Sequence, residues 1–310
     1  MRSLSALALA LTLMIVAAPG AANFETPDQP IIVKATPLDP EQVRQRAIDF
    51  VKSTGVANGQ KQVARWVVPV CIKVIGVSAA PAARIEDKML RVAREANVPV
   101  ARRGCEPNLA VTFAKDAGEV VRQIYAKKPR RFIETSPAER EQLLYGSAPV
   151  RWWYATEMAD RDGVKAHDMT PVFMSAGGAT DGVFSLPLGL PTTQQYGSGS
   201  HVRTPTIRSL YGATVIVDAT KAASAPIDSI AAYATMVAFA EMDAGSPPPD
   251  SILGLFQPSN IEATLTDWDM AFLKSLYRMP LDRRSQIQRG HLVEALLDER
   301  LPRMEEDKKP

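Results

Sequence analysis

Residues 65–76 read RWVVPVCIKVIG, and together with residues 105–113, CEPNLAVTF, they decide the fold. The first stretch is apolar and β-branched, hence a strand. Pro69 has no N–H to give to a ladder, so it marks a bulge or an edge position. The second stretch alternates, with Leu109, Val111 and Phe113 on one face. Between them Pro81 starts a helix whose inner face is Ile85, Met89, Val92 and Ala96, while Arg84, Asp87, Lys88, Arg91 and Glu95 face water. Strand, helix, strand with a cysteine on or beside each strand is a compact unit stapled across its connection. Cys71 and Cys105 are the only cysteines, and in an oxidising compartment such a pair reads as one disulfide. Their spacing excludes a CxxC redox site and a zinc-thiolate cluster.

Working outward, Asp39-Pro40-Glu41-Gln42 announces a helix, with Asp39 as cap, Pro40 at the first helical position and Gln42 completing a capping box. Residues 116–126 predict a further helix, and the basic run Lys127–Arg131 after it reads as a solvated loop. Val150–Thr156 (VRWWYAT) is the strongest short strand signal, because adjacent aromatics suit a pleated surface. Residues 204–210 and 213–218 read as two more strands separated by Tyr211-Gly212. Residues 226–242 are apolar nearly all round, which predicts a helix buried in the core. Helices over 266–278 and 282–301 close the chain before a charged tail at 302–310. The expected architecture is α+β: a mixed twisted sheet with helices packed on it, the 226–242 helix beneath the sheet, and 23–301 as a single domain.

Residues 1–22 have the order of a secretory signal peptide: Arg2, an uncharged run from Leu4 to Ala18, and small residues at Gly20 and Ala22 before a cut. The run is short for a bilayer span, which needs roughly twenty residues. The protein is therefore expected to be periplasmic or secreted. No second apolar run of membrane length follows, so no integral membrane segment is expected in the mature chain. The formal charge is +2 over 310 residues and includes Arg2, so the mature chain is close to neutral and no nucleic-acid partner is expected.

Catalytic motifs are scarce. His167, His201 and His291 are dispersed, and none pairs with another at the spacing of an HExxH helix. Gly197-Ser198-Gly199-Ser200-His201 lacks the GxSxG order of a nucleophile elbow, and neither GxxxxGK[ST] nor GxGxxG occurs. Asp267 and Asp269 fall in the first turn of a helix, where the dipole accounts for them. No catalytic residue, metal ligand or cofactor is assigned. A hydrolase with an unrecognised site, using His201, Asp218 and a loop serine, is the alternative.

Several short motifs carry a resemblance: Trp66 with Pro69-Val70-Cys71, Gly104 to Leu109, Val150-Arg151-Trp152-Trp153, Ser251 to Phe256, and Leu265-Thr266-Asp267-Trp268-Asp269 with Leu276-Tyr277-Arg278. Over most of the mature chain these resemble an exported bacterial family of unknown function. The second half is also similar to zincin-like proteins, in which a Cys-x-x-Asn-Leu strand precedes a His-Glu-x-x-Gln helix. The resemblance implies a zincin-like scaffold whose edge strand lines the substrate cleft. The helix in the catalytic position departs from the pattern: Tyr233 takes the first ligand slot, Ala234 the glutamate slot and Val237 the second ligand slot. Such a helix holds neither a metal nor a general base. The expectation is a pseudoenzyme, a non-catalytic binding or scaffold protein whose partner is an envelope protein or peptide. Its expected surface is Arg151, Trp152, Trp153 and Tyr154, with the Gly-rich 177–199 region after it. Arg151 and Trp153 share one face of that strand, Trp152 and Tyr154 the other.

Overall fold

The computed structural model describes residues 39–56, 58–59, 61–160, 203–204, 206–258 and 262–306. The signal segment 1–22, the Gly-rich 177–199 region, His167 and His201 lie outside the described residues. Five strands form one mixed sheet: β1 (Ala64–Trp66), β2 (Ile72–Ile75), β3 (Leu109–Ala114), β4 (Val150–Asp160) and β5 (Thr206–Asp218). β5 is its centre. Along one edge β5 pairs antiparallel with β4; along the other it pairs parallel with β1 at residues 208–210 and then with β3 at residues 213–218. β2 lies parallel on the far side of β3.

The expected single strand over 65–76 is split, and Pro69 is where it splits. β1 lies beside β5, and after Pro69 the chain steps over to the outer side of β3, Val70 bridging to Val100 on the way. Asn108 fastens this step: its Oδ1 accepts from Cys71 N (2.7 Å), its Nδ2 donates to Pro69 O (3.1 Å), and its carbonyl accepts from Ala213 N (3.1 Å). One residue thus ties three segments, and the Cys71–Cys105 disulfide, with 6.0 Å between Cα atoms, closes beside it. Closing a loop of 34 residues stabilises by about 4 kcal/mol in the chain-entropy account. Gly76, just past β2, has φ +86°, and a Cβ there would lie 1.9 Å from the Phe113 carbonyl oxygen.

The two strands expected at 204–210 and 213–218 are one. Tyr211-Gly212 does not break β5 but bulges it: Ala155 and Thr156 of β4 pair with Gly212 and Leu210, and Tyr211 is the extra residue.

Helices cover both faces. On one, α3 (Ala117–Lys127), a 3-10 turn at Pro129–Phe132 and α4 (Pro137–Tyr145) bury Val121, Phe132, Leu143 and Leu144 against Trp153 and Ile216. The basic run is therefore partly this turn, with Phe132 anchoring it and its arginines exposed. The helix α4 carries no strong apolar stripe, and its start is fixed by Ser136 and Glu139 in a capping box. On the other face α5 (Ile227–Phe239) packs with α2 (Ala79–Glu95), and α1 (Pro40–Ser53), α6 (Asp267–Arg278) and α7 (Ser285–Glu306) complete the core. α7 continues into the charged tail expected from 302.

α5 is buried throughout from Ser229 to Phe239, so the carbonyls of its last turn cannot turn to water. Side chains meet them instead. Tyr154 Oη lies 2.6 Å from Val237 O and 2.8 Å from Ala240 O and accepts from Met242 N at 3.1 Å. Trp66 Nε1 donates to Ala238 O (2.8 Å) and Tyr277 Oη to Phe239 O (2.7 Å). Three aromatic residues from β1, β4 and α6 thus close the end of the core helix. No helix among the described residues is long and apolar enough to cross a membrane.

Candidate binding groove

Among the described residues β4 has a strand partner on one side only. Asp218 N donates to Pro149 O at 2.8 Å, which fixes the phase of the ladder: residues 151 and 153 direct their backbone groups at β5, while Val150, Trp152 and Tyr154 direct theirs outward. None of those outward N–H or C=O groups has a partner among the described residues. At the far end Thr156 N is satisfied by Glu134 Oε1 (2.7 Å), which shields the edge beyond it.

The open stretch faces a groove of about 650 Å³. One wall is α4, through Ala138, Glu139, Gln142 and Leu143; the other is the chain after α5, with Met242, Leu253 and Phe256. The four residues expected to form the surface all border it, yet strand alternation gives them different work. Trp152 is half-buried and faces the groove, its ring edge-on to Tyr233 (6.1 Å between centroids), and its Nε1 donates to Met242 O (3.2 Å). Tyr233 is in turn edge-on to Phe256 at 5.4 Å. These three rings form an aromatic floor. Trp153 is core: it stacks on Phe132 at 4.6 Å beneath α4. Tyr154 is buried at the end of α5. Arg151 is 4% exposed, and its Nη2 donates to Gly146 O. Burial pushes its pKa down, while Asp218 and Asp116 hold it up. Of the four, Trp152 alone offers side-chain surface to a ligand, and the main chain of Val150–Tyr154 offers the rest.

The end of the groove near Thr156 is acidic. Glu134, Glu139, Glu241 and Asp243 line it, with Lys61 beside them. Arg208 joins Glu241 (2.8 Å) and Glu134 (3.1 Å), and Lys61 meets Glu241 at 2.6 Å. Burial pushes the Asp243 carboxyl above its ordinary range, and Glu139 and Glu241 add to the push.

In the helix expected at the catalytic position, Tyr233 lines the groove while Ala234 and Val237 are fully buried. Burial pushes the Tyr233 hydroxyl far up, so it stays protonated. Among the described residues no group of three or more His, Cys, Asp or Glu is placed to hold a metal ion. Asp218, the acid of the hydrolase alternative, is committed to backbone: it accepts from Ala117 N (3.2 Å) and Lys221 N (3.0 Å). Asp269, read as a dipole partner, does more. Buried at the third position of α6, it accepts from Ser251 Oγ (2.6 Å), Ile252 N (2.9 Å) and Thr266 N (2.9 Å).

No family model matches the chain, nor does any curated protein or any solved structure, and the geometry alone carries the functional reading.

Proposed function

We propose that this is an exported binding protein, without chemistry of its own, that takes an extended peptide segment of an envelope partner as an added strand on β4. The open edge at Val150, Trp152 and Tyr154 above an aromatic floor carries the reading. Main-chain ladders supply affinity in such complexes, and pockets for alternate side chains supply choice. Supporting a zincin-like scaffold is the succession of an antiparallel edge strand, its neighbour β5 and then α5 under the sheet. Supporting a non-catalytic role is the set Tyr233, Ala234 and Val237, which offers neither ligand nor base. The order of residues 1–22 and the bonded cysteines support a periplasmic or secreted location.

The test is hydrogen exchange with and without a pool of extended hexapeptides, on wild type and Trp152→Ala. Bound peptide should slow exchange at the Trp152 and Tyr154 amides, and Trp152→Ala should fold yet lose capture. Peptide bound with those two amides unchanged would refute strand addition.

A further inference from the structure

The basic run Lys127–Arg131 holds more charge than a solvated loop requires. Lys127, Lys128, Arg130 and Arg131 are all exposed, and none of their side chains has a hydrogen-bond or ion-pair partner among the described residues. No acid falls between Glu119 and Glu134, and both of those are engaged. Glu119 pairs with Arg122 (2.9 Å), and Glu134 accepts from Thr156 N (2.7 Å) and meets Arg208 (3.1 Å). The dipole at the end of α3 accounts for Lys127 and Lys128. Arg130 and Arg131 lie past the helix, in the 3-10 turn, where the dipole has faded.

Directly after them stands Ile133, 80% exposed, the most exposed large apolar side chain among the described residues. A lone surface isoleucine needs no explanation, but this one ends a fixed turn of unpaired cations. Phe132 holds the turn, buried between Tyr125 (5.5 Å between centroids) and Trp153 (4.6 Å). Arg131 N donates to Lys128 O (3.0 Å), Ile133 N to Arg130 O (3.3 Å) and Thr135 N to Phe132 O (3.1 Å). Ile133 has no way into the core while Phe132 fills it.

We propose that this turn is a membrane-docking surface: Lys127, Lys128, Arg130 and Arg131 meet the phosphates of an anionic phospholipid bilayer while Ile133 enters its interfacial layer. Cations alone would suit any polyanion. Ile133 decides for lipid, because a bilayer offers an apolar phase directly beneath a layer of phosphates. Four cations and one isoleucine make an attachment that is reversible and weakened by salt. The proposal is independent of strand addition on β4.

The probes are vesicles of phosphatidylcholine alone, vesicles of equal parts phosphatidylcholine and phosphatidylglycerol, and soluble polyphosphate, an anion without an apolar phase. The exported protein should sediment with the mixed vesicles at low salt, far less with phosphatidylcholine alone, and come off as salt rises. Arg130→Gln and Arg131→Gln should each weaken vesicle binding about fivefold. Ile133→Ser should weaken it about tenfold or more and leave polyphosphate binding unchanged. All three side chains are exposed, so the variants should melt with wild type. They differ from it only in the turn, so any contribution of residues 1–22 cancels in the comparison. Vesicle binding that ignores all three substitutions, or shows no preference for the mixed vesicles, overturns the proposal. Loss in the arginine variants with Ile133→Ser unchanged would make the turn a site for soluble polyanions and overturns lipid docking.

Discussion

Tyr154→Phe deletes one oxygen and should cost far more than that change usually does. The hydroxyl serves three backbone groups at the end of α5, donating toward Val237 O and Ala240 O and accepting from Met242 N. All lie in the buried core beneath the sheet, and the phenylalanine ring leaves no room for a replacing water. One orphaned N–H and at least one orphaned carbonyl at about 1–3 kcal/mol each give roughly 2–6 kcal/mol. Tyr277→Phe is the internal standard. Its hydroxyl donates to Phe239 O (2.7 Å) and accepts only a long bond from Trp66 N (3.4 Å), so about 1–3 kcal/mol is expected. Equilibrium urea unfolding at fixed pH gives both values, and an unchanged m-value shows that they report stability. Equal, small losses in the two variants would refute the idea that Tyr154 closes the core helix.

Trp153→Ala should lose roughly 3–5 kcal/mol, as a deleted core aromatic does, while Trp152→Ala loses less than half as much; equal losses by thermal melting would show that the two rings are buried alike. Gly76→Ala should cost several kcal/mol, because φ +86° and a Cβ 1.9 Å from Phe113 O both exclude it; a variant unfolding at the wild-type urea midpoint would contradict that placement. Burial raises the hydroxyl pKa of Tyr154, Tyr233 and Tyr277 above the ordinary 10.0. Above pH 10.0 the folded state therefore holds protons that the unfolded state has released, and the stability these three groups contribute, constant below pH 10.0, should fall as pH rises beyond it. Tyrosinate absorbance from these three should then appear together with unfolding; their ionisation in the intact fold would show them accessible.

The local periodicities of this chain were readable. LAVTFA alternates in burial as its pattern demands, and α5, apolar on every side, is buried on every side. Pro69 signalled a break, although only the pairing shows that the break moves the chain from β5 to the far side of β3. Gly212 misled, since a glycine between two apolar runs reads as a turn, whereas here it sits inside a strand next to that strand's bulged residue, Tyr211. α4 was not foreseen because its burial rests on two leucines; Ser136 and Glu139, at capping-box spacing, were the available signal. The partition of Trp152 from Trp153 followed from strand alternation, but which face opened to a groove did not. That depends on walls distant in sequence, α4 and residues 242–256.

The joining strand of the sheet is the last of the five to be synthesised. β1, β3 and β4 all wait for β5, so a growing or translocating chain carries their unpaired edges until residue 218 has emerged. Only β2, α2 and β3 can assemble earlier, and they form a local unit whose cysteines lie 34 residues apart. Oxidation can thus lock one βαβ piece while the sheet is still open, giving β5 a fixed edge on which to dock. β4 has no such head start. Its aromatic stretch has no sheet partner until β5 emerges, which makes it a segment for a holdase to cover and a point of aggregation if none does.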